Sequence, residues 1–181
     1  MNSYRSHGFS LMEALLAIII VVMASLGVYS VFNSGSYEAH LSDATTQAVE
    51  IANIYTDLAS SDLTGGTATV PELLQNSGRL SSKYFASDTD DKVNIHNPFG
   101  QLAFTKTNAY SFSVDVPLGC FKGEVDNSAS VPGQFFSKVK DMYSCDASGS
   151  KSYQTCINKQ GVTACSPTSP TTITLYFSMN Y

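Results

Sequence analysis

Residues 7–32 read HGFSLMEALLAIIIVVMASLGVYSVF, and the fold turns on what Glu13 does inside that stretch. Nearly every side chain from Leu11 to Phe32 is apolar, and a carboxylate in hydrocarbon costs several kcal/mol unless it is neutralised or paired. Ala14 to Phe32 is a run of 19 residues without a formal charge. At about 1.5 Å per helical residue it nearly matches a hydrocarbon core of about 30 Å, so the run is expected to span a membrane. Arg5 precedes it and the next Lys or Arg is Arg79. That asymmetry places the N-terminus in the cytoplasm and everything after Phe32 on the other side. A cleavable signal peptide, cut before Val28 after the small residues Ser25 and Gly27, is the competing reading. The run is longer than such segments usually are, and Glu13 at its front edge fits them poorly.

The pattern continues past the apolar run. Leu41, Ala44, Ala48, Ile51, Tyr55 and Leu58 recur at spacings of three and four, which draws one apolar stripe down a helix. Glu38, Asp43, Gln47, Glu50, Asn53 and Asp57 fall on other faces. No proline interrupts Phe9 to Ser61, and Gly65-Gly66 is the first strong breaker. One helix of about fifty residues, roughly 75 Å long, is expected, greasy all round in its first half and amphipathic in its second. Gly27 and Gly35 are the places where it is expected to bend or loosen.

After Gly66 the chain turns rich in Gly, Ser, Thr and Asn. Pro71 to Asn76 reads as a short helix with proline in its first turn and Gly78 beyond its end. Tyr110, Phe112, Val114 and Val116 alternate with Ser111, Ser113 and Asp115 as in a half-buried strand. Leu102 and Phe104 supply a partner strand, with the turn placed at Thr107-Asn108. Thr171 to Met179 alternates again and is expected to add a strand to the same sheet. One apolar sheet face needs a cover, and the stripe from Leu41 to Leu58 is the largest free one. The fold class is therefore α+β, a long N-terminal helix lying across an antiparallel sheet. Phe135, Phe136 and Tyr143 read as helix-face packing against this head.

A length of 181 residues allows one ordinary core plus an appendage. Ten Lys and Arg against fifteen Asp and Glu leave a charge of −5, which argues against nucleic acid as a partner. The four cysteines, Cys120, Cys145, Cys156 and Cys165, include no C-x-x-C pair, so two disulfides in an oxidising compartment are the simpler reading. Their spacing leaves all three connectivities open. No nucleophile elbow, phosphate loop, zinc helix or dinucleotide fingerprint occurs, and no catalytic residue, metal site or cofactor is expected. Asp88, Asp90 and Asp91 lack the spacing of an EF-hand loop and read as a solvated acidic loop. His96 beside Asn97-Pro98 reads as a turn residue. His7 and His40 complete the histidines.

Gly8-Phe9-Ser10-Leu11-Met12-Glu13, followed by about twenty apolar residues, resembles the processing site of the type IV pilins. The resemblance implies a leader over residues 1–8, cleavage between Gly8 and Phe9 by a prepilin peptidase, and N-methylation of Phe9. It implies further a transmembrane and polymerisation helix over 9–32, an amphipathic continuation over 33–62 and a globular head over 63–181. The short leader and Phe9 are most similar to type IVa. The head, through LLQNSGRLSSKYF, HNPFG (His96 to Gly100) and the C-terminal VTACSPTSPTTITLYFSMNY, resembles the type IVb pilins, although the likeness does not extend over 122–152. In that group a mid-chain cysteine pairs with one near the C-terminus, which implies Cys120 with Cys165 and leaves Cys145 with Cys156.

The function implied is that of a structural pilus subunit and not an enzyme. Its partners would be other copies of itself, the prepilin peptidase, the pilus assembly machinery and the bacterial inner membrane before export to a surface filament. Physics supplies a role for Glu13 within that picture. A carboxylate buried among apolar helices is tolerable if a cation meets it, and the new amine at Phe9 of a neighbouring copy is the obvious one, acting more to set register than to stabilise. A pseudopilin of a type II secretion system is the alternative, sharing Gly8 to Glu13 but relying on a calcium loop. An enzyme or binding protein merely anchored by its helix would show neither cleavage nor a polymer.

Overall fold

One helix, α1, runs from Leu11 to Ser60, fifty residues without interruption at Gly27 or Gly35. It belongs to a computed structural model that describes residues 11–87, 93–119, 131–157 and 171–179. Two compact units divide within this helix, one ending at Ala39 and the other beginning at His40. The helix stops earlier than the Gly65-Gly66 breaker suggests. Asp62 adopts the left-handed conformation at φ 56°. Its N–H donates to the Ala59 carbonyl at 3.1 Å, and the Leu63 N–H donates to the Leu58 carbonyl at 3.0 Å. This is the Schellman arrangement, with aspartate where glycine is usual.

The short helix α2, Val70–Ser77, forms where proline and glycine place it. Thr69 and Glu72 cap its start reciprocally: the Thr69 hydroxyl accepts from the Glu72 N–H at 3.4 Å, and the Glu72 carboxylate accepts from the Thr69 N–H at 2.7 Å. A single 3-10 turn, Ser82–Tyr84, leads into β1, Phe85–Ser87. With β2, Val93–Asn97, and β3, Gly100–Gln101, this strand makes a small antiparallel sheet in the order β1-β2-β3. A second antiparallel sheet follows in the order β4-β5-β6, from Ala103–Asn108, Ser111–Pro117 and Thr172–Ser178.

The second sheet joins the three strands expected from the alternation, and the first sheet is an addition to it. The chain from Gly100 onward first pairs with β2, ending where the Leu102 N–H donates to the Ile95 carbonyl at 2.8 Å, and then pairs with β5 as β4. The expected turn at Thr107-Asn108 lies two residues later, at Ala109-Tyr110. Asn108 is its reason. The Asn108 side-chain oxygen accepts from the Tyr110 N–H at 2.7 Å, a local closure that asparagine favours. Tyr110 is consequently 41% exposed rather than inward-facing.

The core lies between α1 and the second sheet. Leu41, Ala44, Ala48, Ile51 and Tyr55 are all buried, as are Phe112, Val114 and Val116 of β5 and Ile173, Leu175 and Phe177 of β6. The Tyr55 ring meets Phe112 and Phe177 at centroid distances of 4.7 and 5.7 Å, both edge-on. Each buried Leu, Ile, Val or Phe among them, fully withdrawn from water, contributes about 1.5–3 kcal/mol. Gln47 departs from the expected polar face. It is buried at 1% exposure, and its amide donates to the His96 carbonyl at 2.9 Å, pinning α1 to β2.

Phe135 and Phe136 are buried on α3, Val131–Val139, as the pattern expects, and Tyr143 is buried just beyond it. The Tyr143 hydroxyl donates to the Ala48 carbonyl of α1 at 2.8 Å. From there the chain runs along the outside of β6. Ser144 bridges Tyr176, a four-residue helix α4 spans Tyr153–Cys156, and Ile157 bridges Ile173.

Candidate assembly segment

Gly8 and Phe9, the expected processing site, lie outside the described residues. Glu13 stands in the first turn of α1, where the backbone alone is described. Further along, Leu15 and the five successive residues Ile18 to Val22 are between 47% and 63% exposed. Five residues cover more than one helical turn of 3.6 residues, so apolar side chains stand out at every azimuth. Isolated exposed apolar residues need no explanation, whereas a continuous apolar surface marks a lipid or protein contact. Side chains between Leu11 and Gly35 are described only at Leu15 and Ile18 to Val22. Among the described residues, no helix is long and apolar enough to cross a membrane.

In the head, many polar groups of the described residues hold structure together. The HNPFG turn is the clearest case. Asn97 is buried, its Nδ2 donates to the Pro117 carbonyl at 2.8 Å, and its Oδ1 accepts from the N–H groups of Phe99 and Gly100 at 2.8 and 2.9 Å. Gly100 sits at φ +150°, and an added Cβ there would come within 3.3 Å of the Pro117 ring. Glycine is therefore required at this position, by conformation and by space. His96 contributes its carbonyl to Gln47, and His40 meets the Phe99 ring edge-on at 5.9 Å.

The Asp43 carboxylate accepts from Lys83 Nζ and from the Tyr84 hydroxyl, each at 2.8 Å. The Lys83 hydrogen bond holds the Asp43 carboxyl below its ordinary range, against the opposing effect of burial. Burial pushes the Tyr55 hydroxyl up to about 12 and raises Tyr143 as well, so both stay protonated and serve as donors. Asp146 is lowered by hydrogen bonds from the Ser148 side chain and the Ser150 N–H, which close its loop.

Two clefts open on the described surface. One, of about 280 Å³, is polar and lies between the outside of β6 and the loop around Asp141, Ser148 and Lys151. The other, of about 430 Å³, opens where β2 and β4 part beside the start of α2. No group of three potential metal ligands occurs among the described residues, and Asp88, Asp90 and Asp91 lie outside them.

Cys145 and Cys156 form a disulfide. Cys120 and Cys165 lie outside the described residues. Gln47 falls off the apolar stripe and carries no periodic signal in the sequence, and neither does the left-handed cap at Asp62. Compared with protein-family models, with curated proteins and with solved structures, the chain matches none.

Proposed function

We propose that the chain is the structural subunit of a type IV pilus, cleaved after Gly8 and polymerised through its N-terminal apolar helix into a surface filament. The observation that carries this reading is the Gly8 to Glu13 motif, set directly ahead of an apolar run. The uninterrupted helix from Leu11 to Ser60 and the all-round exposure of Ile18 to Val22 support it. The Cys145–Cys156 disulfide supports a head that matures outside the cytoplasm.

Before assembly the helix 9–32 holds the subunit in the inner membrane, N-terminus in the cytoplasm and head in the periplasm. Exchanging lipid for neighbouring helices then costs little, and close packing among many copies stabilises the bundle. Glu13 is the one carboxylate in that bundle, and the methylated amine of Phe9 is its partner. Within one straight helix the two lie about 6 Å apart along the axis, so a neighbouring copy offset by that rise presents its amine at the same level. The pair sets the stagger between subunits.

Intact mass spectrometry of material sheared from the cell surface tests processing and export together. A mass starting at N-methylated Phe9 is expected, and a start at Met1 or Val28 overturns the reading. Glu13→Ala should still be processed and membrane-inserted but enter filaments poorly. Normal filament yield from that variant removes the role assigned to the carboxylate.

A further inference from the structure

Among the described residues β6 ends the second sheet, so one of its sides has no named partner strand there. Tyr176 and Ser144 exchange both main-chain hydrogen bonds, at 2.7 and 2.8 Å. The main chain of Tyr176 therefore points away from β5, and by alternation so does that of Thr174. The second contact on this side, Ile157 opposite Ile173, sets Cys156 opposite Thr174. An unprotected strand edge invites pairing with another chain, and native proteins cover such edges. Here the cover is the strap from Ser144 to Ile157.

The two ends of the strap are held differently. Tyr143 seats the first end in the core, with its ring 1% exposed and its hydroxyl bonded to α1. At the second end Cys156 is buried in the core cluster and the Tyr153 ring packs against Phe136 at 6.0 Å, whereas Ile157 is buried but stands apart from that cluster and the one-turn helix α4 has no side-chain cap. The covalent link between the two ends is the bond between Cys145 and Cys156, each adjacent to one of the two edge contacts.

We infer that the Cys145–Cys156 disulfide is a latch: it holds the strap over the outer edge of β6 at Thr174, and loss of the bond opens that edge while the rest of the sheet stays folded. The closed loop spans 11 residues of separation. In the chain-entropy treatment, losing it should multiply the opening equilibrium of the strap end about 100-fold.

The test is residue-resolved amide hydrogen exchange on the full chain in detergent micelles, comparing the native protein with Cys145→Ser/Cys156→Ser. Because the variant leaves Cys120 and Cys165 in place, it isolates this bond. Exchange at Thr174 is expected to rise about 100-fold, while Tyr176, held through Ser144 and Tyr143, and the β5 amides of Phe112 and Val114 keep their native rates. Unchanged exchange at Thr174 overturns the proposal. Equal acceleration through β5 also overturns it, because the bond would then support the whole head. Ile157→Ser with the disulfide intact supplies the last arm. Thr174 should remain slow, and opening in that variant would make the apolar seat, not the bond, the latch.

Discussion

Replacing Asn97 by alanine removes three hydrogen bonds, one of them, to the Pro117 carbonyl, at a site closed to water. The side chain is 7% exposed and joins the turn after β2 to the end of β5 through the Pro117 carbonyl. A typical hydrogen bond contributes about 1 kcal/mol net, and a buried group left without a partner costs about 1–3 kcal/mol. Two of the orphaned groups, the N–H of Phe99 and of Gly100, belong to half-buried residues and recover part of the loss from water. The Pro117 carbonyl belongs to a buried residue. Asn97→Ala should therefore destabilise the head by roughly 3–4 kcal/mol, lowering its melting temperature by about 10 °C. The chain has ten tyrosines and no tryptophan, so near-ultraviolet circular dichroism of tyrosine is the natural readout. Asn108→Ala, which removes one exposed bond, serves as the control and should cost no more than about 1 kcal/mol. An Asn97→Ala loss below about 1 kcal/mol would mean that the turn is held by its backbone alone and would refute this account.

Asp62→Gly should raise stability by about 1 kcal/mol in chemical unfolding, because glycine adopts the left-handed cap without strain; a loss would show that the aspartate side chain makes up for its backbone. Gln47→Ala should cost about 1–3 kcal/mol by leaving the His96 carbonyl without its donor, measured in the same unfolding series. Asp43 has a depressed folded value, so its contribution is present above the unfolded carboxyl range near pH 4 and is lost as pH falls through the folded value. Asp43→Asn should cost about 1 kcal/mol at pH 7, since both partners are partly exposed, and the difference from the native chain should vanish in acid.

Where the fold was legible, one physical period dominated. The stripe from Leu41 to Tyr55 and the alternation of Phe112, Val114, Ile173, Leu175 and Phe177 each bury as spaced, because the opposing surfaces are large and apolar. Gln47 escaped notice because a single hydrogen bond reverses the usual preference of an amide for water. The division into two sheets was hidden too, since it depends on one side chain, Asn97, turning the chain back before β4 begins. The strap from Ser144 to Ile157 is mostly polar, and a covalent bond with two isolated strand contacts holds it, none of which leaves a periodic trace. At the candidate assembly segment the motif and the apolar run were legible as residue types, while the proposed spacing between copies would be a property of many chains.

The crosswise bonds from α1 to the head have a consequence for force. The Gln47 amide to the His96 carbonyl, the Tyr143 hydroxyl to the Ala48 carbonyl and the Tyr55 hydroxyl to the Ala109 carbonyl tie the helix to three separate chain segments within three turns. A pull along the helix axis would load all three in shear at once, together with the interlocked rings of Tyr55, Phe112 and Phe177, instead of peeling them in succession. Such a joint yields abruptly at high tension rather than creeping at low tension.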